Sequence, residues 1–207
     1  MEKQLIISVS REFGSGGYAV AEELAGRFKI GFYDHNILDL IAQKKSGNAE
    51  TLKKFDEVPK SRLFSRTVRG FSNSPEDVIS EMQFDFMREK AEAGESFVIV
   101  GRCSEAVLKG HPGLVTVFIL GDYDKKVERV CEKYHLSQRE AQSLIKTKDK
   151  KRKSYHNYHC DLHWGDSRGY DISINSSKLG VSGTADVIEA YIRERFGIVY
   201  SGDISAE

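Results

Sequence analysis

A chain of 207 residues, 40% of them hydrophobic, can bury one substantial core and falls within the size range of a single domain. Its 31 basic residues match its 31 acidic ones, so no overall field draws it toward nucleic acid or an anionic membrane, and a polyanion would have to be met by a local cluster. Cys103, Cys131 and Cys160 are odd in number and lack framework spacing, which argues against a disulfide scaffold and for reduced thiols in the cytoplasm.

The first apolar run, Leu5 to Val9, is too short for a signal-peptide core or a membrane span and reads as a buried strand. Ser10, Arg11, Glu12, Phe13, Gly14, Ser15, Gly16, Gly17 and Tyr18 follow it, and then Val20, Ala21, Leu24, Ala25 and Phe28 share one helical face. A strand, a glycine turn and a helix start are thus contiguous. Glycines allow the backbone conformations that expose successive N–H groups, and the helix start adds partial positive charge, so the turn suits a phosphate. The alternative is that the glycines merely ease the first turn of an α/β fold. The common phosphate-loop pattern ends in Gly, Lys and Ser or Thr, whereas here Gly16 precedes Gly17, Tyr18 and Ala19.

A second strand is predicted at Ile30 to Tyr33, and residues 44–74, with few apolar anchors, are predicted to form loops or a mobile helical insert. Ser74 and Ser137 each precede an acid by three residues, at Asp77 and Glu140, and mark helix starts, with Gly94 and Gly197 as stops. Further strands are read at Phe97 to Val100, Leu114 to Leu120 and Ile172 to Ile174. Asp122 and Asp124 precede a helix predicted from about Lys125 to Lys133 and are read as its caps. Strands alternating with helices predict an α/β fold: a mostly parallel five-stranded sheet, helices on both faces, and ligands at the C-terminal strand ends.

Four blocks in order resemble the cytidylate kinase-like family of P-loop kinases. They are Ile7 to Gly17, then Phe32, Tyr33 and Asp34, then Val98 to Arg102, and last Asp149 to Arg152 leading into Trp164, Gly165, Asp166, Tyr170 and Asp171. The resemblance implies P-loop kinase topology, a helical lid over about 138–170, an acceptor-side insert at 44–74, and transfer of the ATP γ-phosphate with Mg²⁺ to a nucleoside monophosphate such as CMP. Cytidylate kinases carry a lysine and a nearby hydroxyl in the loop and an aspartate after the Gly-Arg pair; this chain has Gly17, Tyr18, Ala19 and Cys103 there.

Under that reading Phe13, Gly14, Ser15, Gly16, Gly17, Tyr18 and Ala19 hold the nucleotide. Arg11 supplies the phosphate contact that the absent lysine cannot, the alternative being an ion pair with Glu12 or another acid. Arg102 clamps the acceptor phosphate or makes a surface salt bridge, and Asp34 meets a sugar hydroxyl or caps the helix near Asn36. Lys146, Lys148, Lys150, Lys151, Arg152 and Lys153 form a basic run, a solvated face or a closing lid, in which Lys148 and Arg152 are the catalytic choices and Asp149 orients one of them. His156, His159, Cys160 and His163 would share a face if the helix continued, which suits Zn²⁺ or simply polar lid residues. Cys103 is read as a small buried side chain or a reactive thiol. The alternative functions are a nucleotide-sensing module without transfer activity and a metal-binding regulator. The expected partners are small nucleotides, not nucleic acid or membrane, with a homo-oligomer allowed.

Overall fold

In the computed structural model, residues 4–34, 36–44, 67–68, 71–72 and 74–197 are described. The predicted insert at 44–74 therefore lies almost wholly outside them. In chain order the elements are β1 (Ile6–Arg11), α1 (Gly17–Phe28), β2 (Gly31–Tyr33), α2 (Ile37–Lys44), β3 (Thr67–Val68), β4 (Phe71–Ser72) and α3 (Pro75–Glu92). They continue with β5 (Phe97–Val100), α4 (Ser104–Val107), β6 (Leu114–Leu120), α5 (Tyr123–Tyr134), α6 (Gln138–His159), a 3₁₀ turn (Ser167–Gly169), β7 (Ile172–Asn175) and α7 (Ser176–Phe196).

Five strands form one all-parallel sheet in the order β2-β5-β1-β6-β7, while β3 and β4 pair antiparallel apart from it. The central strand runs two residues beyond the predicted Val9, because Ser10 and Arg11 still pair with Phe118 and Ile119 of β6. That extension carries Arg11 to the sheet edge where the glycine turn begins.

The strands are apolar on both sides because helices cover both faces. On one face, Val20 and Leu24 of α1 and Ile188 and Ile192 of α7 pack with Val9, Val98 and Val117. On the other, Ile37, Leu38, Met87 and Tyr155 pack with Ile6, Phe97 and Ile99. A third cluster, Val127, Val130, Ala141 and Ile145, joins α5 to α6 and includes Phe13 of the glycine turn, so this helix pair is built against the loop.

The predicted helix signals act locally. The Ser74 hydroxyl accepts from the Asp77 N–H, and Ser137 and Glu140 form a reciprocal capping box. Gly197 closes α7 in the left-handed region. Asp122 differs from expectation: it stands at the N-cap of α5, but its carboxylate accepts instead from Asn175 Nδ2 at 2.7 Å and Lys178 Nζ at 2.7 Å, and makes no side-chain cap. It ties β7 and the start of α7 to the β6 edge. Among the described residues, no helix is long and apolar enough to cross a membrane.

Candidate active site

The glycine turn leaves the central strand and enters α1 through Gly14 and Gly16, both at φ 83, where a β-carbon would strain the backbone. Gly16 is the N-cap of α1. Ser15 is buried and turned inward: its hydroxyl donates to the Glu12 carbonyl at 2.9 Å and accepts from the Gly17 N–H at 3.3 Å. Phe13, Gly14, Gly16, Gly17, Tyr18 and Ala19 line a cavity of about 270 Å³ together with Arg11, Arg129, Lys133 and Arg152. Four cationic side chains thus line one cavity with the glycine-turn backbone, a setting for a polyphosphate.

Gly17 stands where the common pattern has lysine. A β-carbon added there would lie 2.6 Å from Arg11 Cβ, 3.2 Å from Arg11 Cγ and 3.3 Å from Ile119 Cβ. The first carbons of the Arg11 side chain therefore occupy the space that a β-carbon at 17 would need.

The loop is held from beneath and from above. Beneath it, Glu12 Oε2 accepts from Lys126 Nζ at 2.9 Å and from the Gly121 N–H at 3.1 Å, with the Lys126 side chain buried. Above it, Asp149 Oδ1 accepts from the Phe13 N–H at 2.7 Å, and burial raises the Asp149 pKa against the pull of that hydrogen bond and of Lys126. Arg129 Nη1 donates to the Gly14 carbonyl at 2.6 Å. Arg152 donates to the Arg11 carbonyl at 3.2 Å and lies over the Phe13 ring. Asp149 thus acts on the loop backbone. Lys148, one turn before Arg152, is exposed and lines neither the loop cavity nor the arginine cleft described next.

Beyond β5 the chain makes a turn in which Gly101, Arg102 and Cys103 all have positive φ, at 78, 61 and 55. Two consecutive non-glycine residues in this region cost about 1–2 kcal/mol each, and such strain persists only where the surroundings enforce it. The turn carries Arg102 into a narrow cleft with Ser10, Arg11, Arg152, Tyr155, His156 and Trp164. At 5% exposure Arg102 is no surface salt bridge. Three of the four arginines and lysines singled out from the sequence as catalytic, Arg11, Arg102 and Arg152, meet in this cleft, and Arg11 and Arg152 line the loop cavity as well.

Asp34, also buried, makes a reciprocal pair with Asn36: its Oδ1 accepts from the Asn36 N–H at 2.9 Å, and its own N–H donates to Asn36 Oδ1 at 3.1 Å. This is the local capping arrangement ahead of α2.

Of the four residues read as one helical face, His156 and Cys160 stay together, whereas His159 and His163 do not join them. The helix ends at His159, Cys160 is its extended C-cap, and His163 lies beyond it and is exposed. His159 packs among the rings of Phe84, Tyr155 and Tyr158, where burial lowers its pKa. His156 instead meets Glu105, Nε2 to Oε1 at 2.6 Å. Burial opposes its charge, yet Cys160 and Glu105 raise its pKa. Cys103, against burial and together with His156, lowers that of Cys160. The Glu105–His156 pair also borders a larger cavity of about 630 Å³, lined by none of the glycine-turn residues, between Lys109, His111, Cys160 and Arg168.

Sequence reasoning missed Arg129, Lys126, Lys133 and Glu105. The first three lie on α5, about 115 residues after the loop they serve, and nothing in their local sequence marks the contact.

This chain matches the cytidylate kinase-like family over residues 6–178. The crystal structure of an uncharacterized protein from Eubacterium ventriosum ATCC 27560 is 39% identical, with 91% of this chain and 98% of that chain covered and a TM-score of 0.73. Shikimate kinase from Bacteroides thetaiotaomicron shares the fold at 13% identity and a TM-score of 0.55, covering 91% of this chain and 98% of its own. Shikimate kinase from Acinetobacter baumannii, solved in complex with shikimate, does so at 12% identity and 0.52, covering 93% and 95%. No curated protein matches. With its matched span running from the central strand into the start of α7, the chain belongs to the cytidylate kinase-like family.

Proposed function

We infer that the protein transfers the γ-phosphate of ATP to a small acceptor of the nucleoside monophosphate type, CMP being the first to try. The observation that carries this reading is that Arg11 and Arg152 line both the glycine-loop cavity and the cleft that holds Arg102. The cleft itself, about 20 Å³, has room for little more than a water, so an acceptor phosphate would reach Arg102 from its mouth, and a phosphoryl group passing to it from a nucleotide in the cavity would cross between these guanidiniums. Charge that develops on its oxygens would meet donors already fixed in place.

In this reading Arg11 does the work of the missing loop lysine, from the space beside Gly17. The Gly14–Ala19 backbone cradles the phosphates, Arg152 closes over them from α6, and Arg102 anchors the acceptor. The residues fit ATP through amides and cations. The Ser15 hydroxyl is spent within the loop, so Mg²⁺ would take its ligands from nucleotide oxygens and water. When bound, Mg²⁺ neutralises charge shared by the outer phosphates.

The test is transfer of labelled γ-phosphate from ATP, with Mg²⁺, to nucleoside mono- and diphosphates and small phosphorylated metabolites, beside ATP-binding calorimetry. A labelled nucleotide is the expected product. Tight ATP binding with no transfer to any acceptor would overturn the kinase reading and leave a nucleotide-sensing module.

A further inference from the structure

One cluster lies beside the arginine cleft, which its Cys103 and His156 help to line. It is built from two short stretches that the fold brings together: Cys103 and Glu105, at the left-handed turn after β5 and the start of α4, and His156 and Cys160, at the last turn of α6. One donor atom each from Glu105, His156 and Cys160 falls within 4.8 Å of the others. Cys103 lies within hydrogen-bond reach of Cys160 and is itself 3% exposed.

We propose that Cys103, His156 and Cys160 hold a transition-metal ion, Zn²⁺ by the character of the donors, with Glu105 orienting His156, and that the ion fastens the end of α6 to the turn that carries Arg102. Sulfur and imidazole donors together suit Zn²⁺ and not the all-oxygen preference of Mg²⁺ or Ca²⁺. His156 is 6% exposed, and its Nδ1 is buried and makes no hydrogen bond of good geometry, while its Nε2 is taken by Glu105. A carboxylate on one imidazole nitrogen, leaving the other for an ion, is the arrangement that orients metal-binding histidines. The Glu105 carboxylate is itself steadied by the hydroxyls of Ser8 and Ser10, each donating to Oε2 at 3.4 Å. The spacing also separates this set from the helical-face reading, since His159 is packed among rings and His163 is exposed past the helix end.

The site is independent of whether the protein is a kinase, and its test reads metal rather than activity. The full-length chain, kept reduced and stripped with a chelator, is titrated with Co²⁺ alone and then with Zn²⁺. The expected result is one Co²⁺ per chain with thiolate-to-metal charge-transfer absorption and intense visible bands of a tetrahedral site, displaced by Zn²⁺, and a rise in melting temperature with Zn²⁺. Cys160→Ser abolishes the charge-transfer band, Cys103→Ser reduces it, and Glu105→Gln weakens binding about 10–100-fold. His159→Ala and His163→Ala leave stoichiometry and spectrum unchanged. The Cys160→Ser chain, isosteric in outline, is checked for an unchanged melting temperature without metal. Absence of a thiolate band in the reduced parent chain would overturn the proposal. So would a band that survives loss of both Cys103 and Cys160, or one that needs His163.

Discussion

If Arg11 replaces a loop lysine, positions 11 and 17 are coupled by volume as well as by charge. Arg11→Ala removes a charge-assisted contact to phosphate worth about 1.5–3 kcal/mol, which corresponds to roughly a 10–150-fold loss of ATP affinity. Gly17→Lys alone restores the residue of the common pattern, yet its β-carbon would stand 2.6 Å from Arg11 Cβ and 3.3 Å from Ile119 Cβ. Overpacking of that kind costs about 1–3 kcal/mol, so the single variant should melt lower and bind ATP more weakly than the parent. Arg11→Ala keeps the offending β-carbon, so the partner change is Arg11→Gly. The double variant R11G/G17K clears both Arg11 atoms, and of the three nearest atoms leaves Ile119 Cβ, which needs a shift of a few tenths of an ångström. It should recover both melting temperature and ATP affinity relative to Gly17→Lys, with a coupling of at least about 1 kcal/mol in the cycle. Calorimetry with ATP and thermal melts of the four proteins measure it. Additive effects, or a Gly17→Lys chain that binds ATP better than the parent, would refute the reasoning.

Arg102→Ala should lower kcat/KM for the acceptor about 10²-fold, as loss of one preorganised donor does, with little change in ATP affinity. A loss confined to ATP binding would move Arg102 to the other side of the reaction. Lys126→Met removes the buried partner of Glu12, and leaving that carboxylate with only the Gly121 N–H should cost about 1–3 kcal/mol, seen as a fall in melting temperature on the order of 2–10 °C. Burial raises the Asp149 pKa, so between the usual carboxylate value and the raised one the folded chain holds a proton that the unfolded chain has released. By this group, falling pH in that window favours the folded state, yet the protonated carboxyl is a poorer acceptor for the Phe13 N–H. ATP affinity should therefore fall on acidification while the fold holds, and Asp149→Asn should flatten that slope in calorimetry across the window; an unchanged slope would count against it.

The parts of the molecule legible in the sequence are those whose signals are local. The strand, turn and helix from Leu5 to Phe28, the Ser74 and Ser137 caps and the five apolar runs each declare themselves within a few residues, and each forms as expected. What was not legible is tertiary. Asp122 has the right neighbours to cap α5, but Asn175 and Lys178 arrive from another strand and helix and take its carboxylate. Arg129 and Lys126 reach the loop only because α5 packs beside it. The left-handed turn at Arg102 and Cys103 has no signature, since neither residue favours that conformation. The histidine face was legible only in part: His156 and Cys160 stay together at the end of α6, His163 lies past the residue where the helix stops, and the partner that His156 finds, Glu105, is 51 residues earlier.

The most direct test of the central claim is a crystal structure of the protein with a non-hydrolysable ATP analogue and Mg²⁺. The account predicts the polyphosphate on the Gly14 to Ala19 backbone, the Arg11 guanidinium on its outer phosphate from the space beside Gly17, and Arg152 above it. Phosphates held elsewhere, or held in the loop with Arg11 turned away from them, would contradict it.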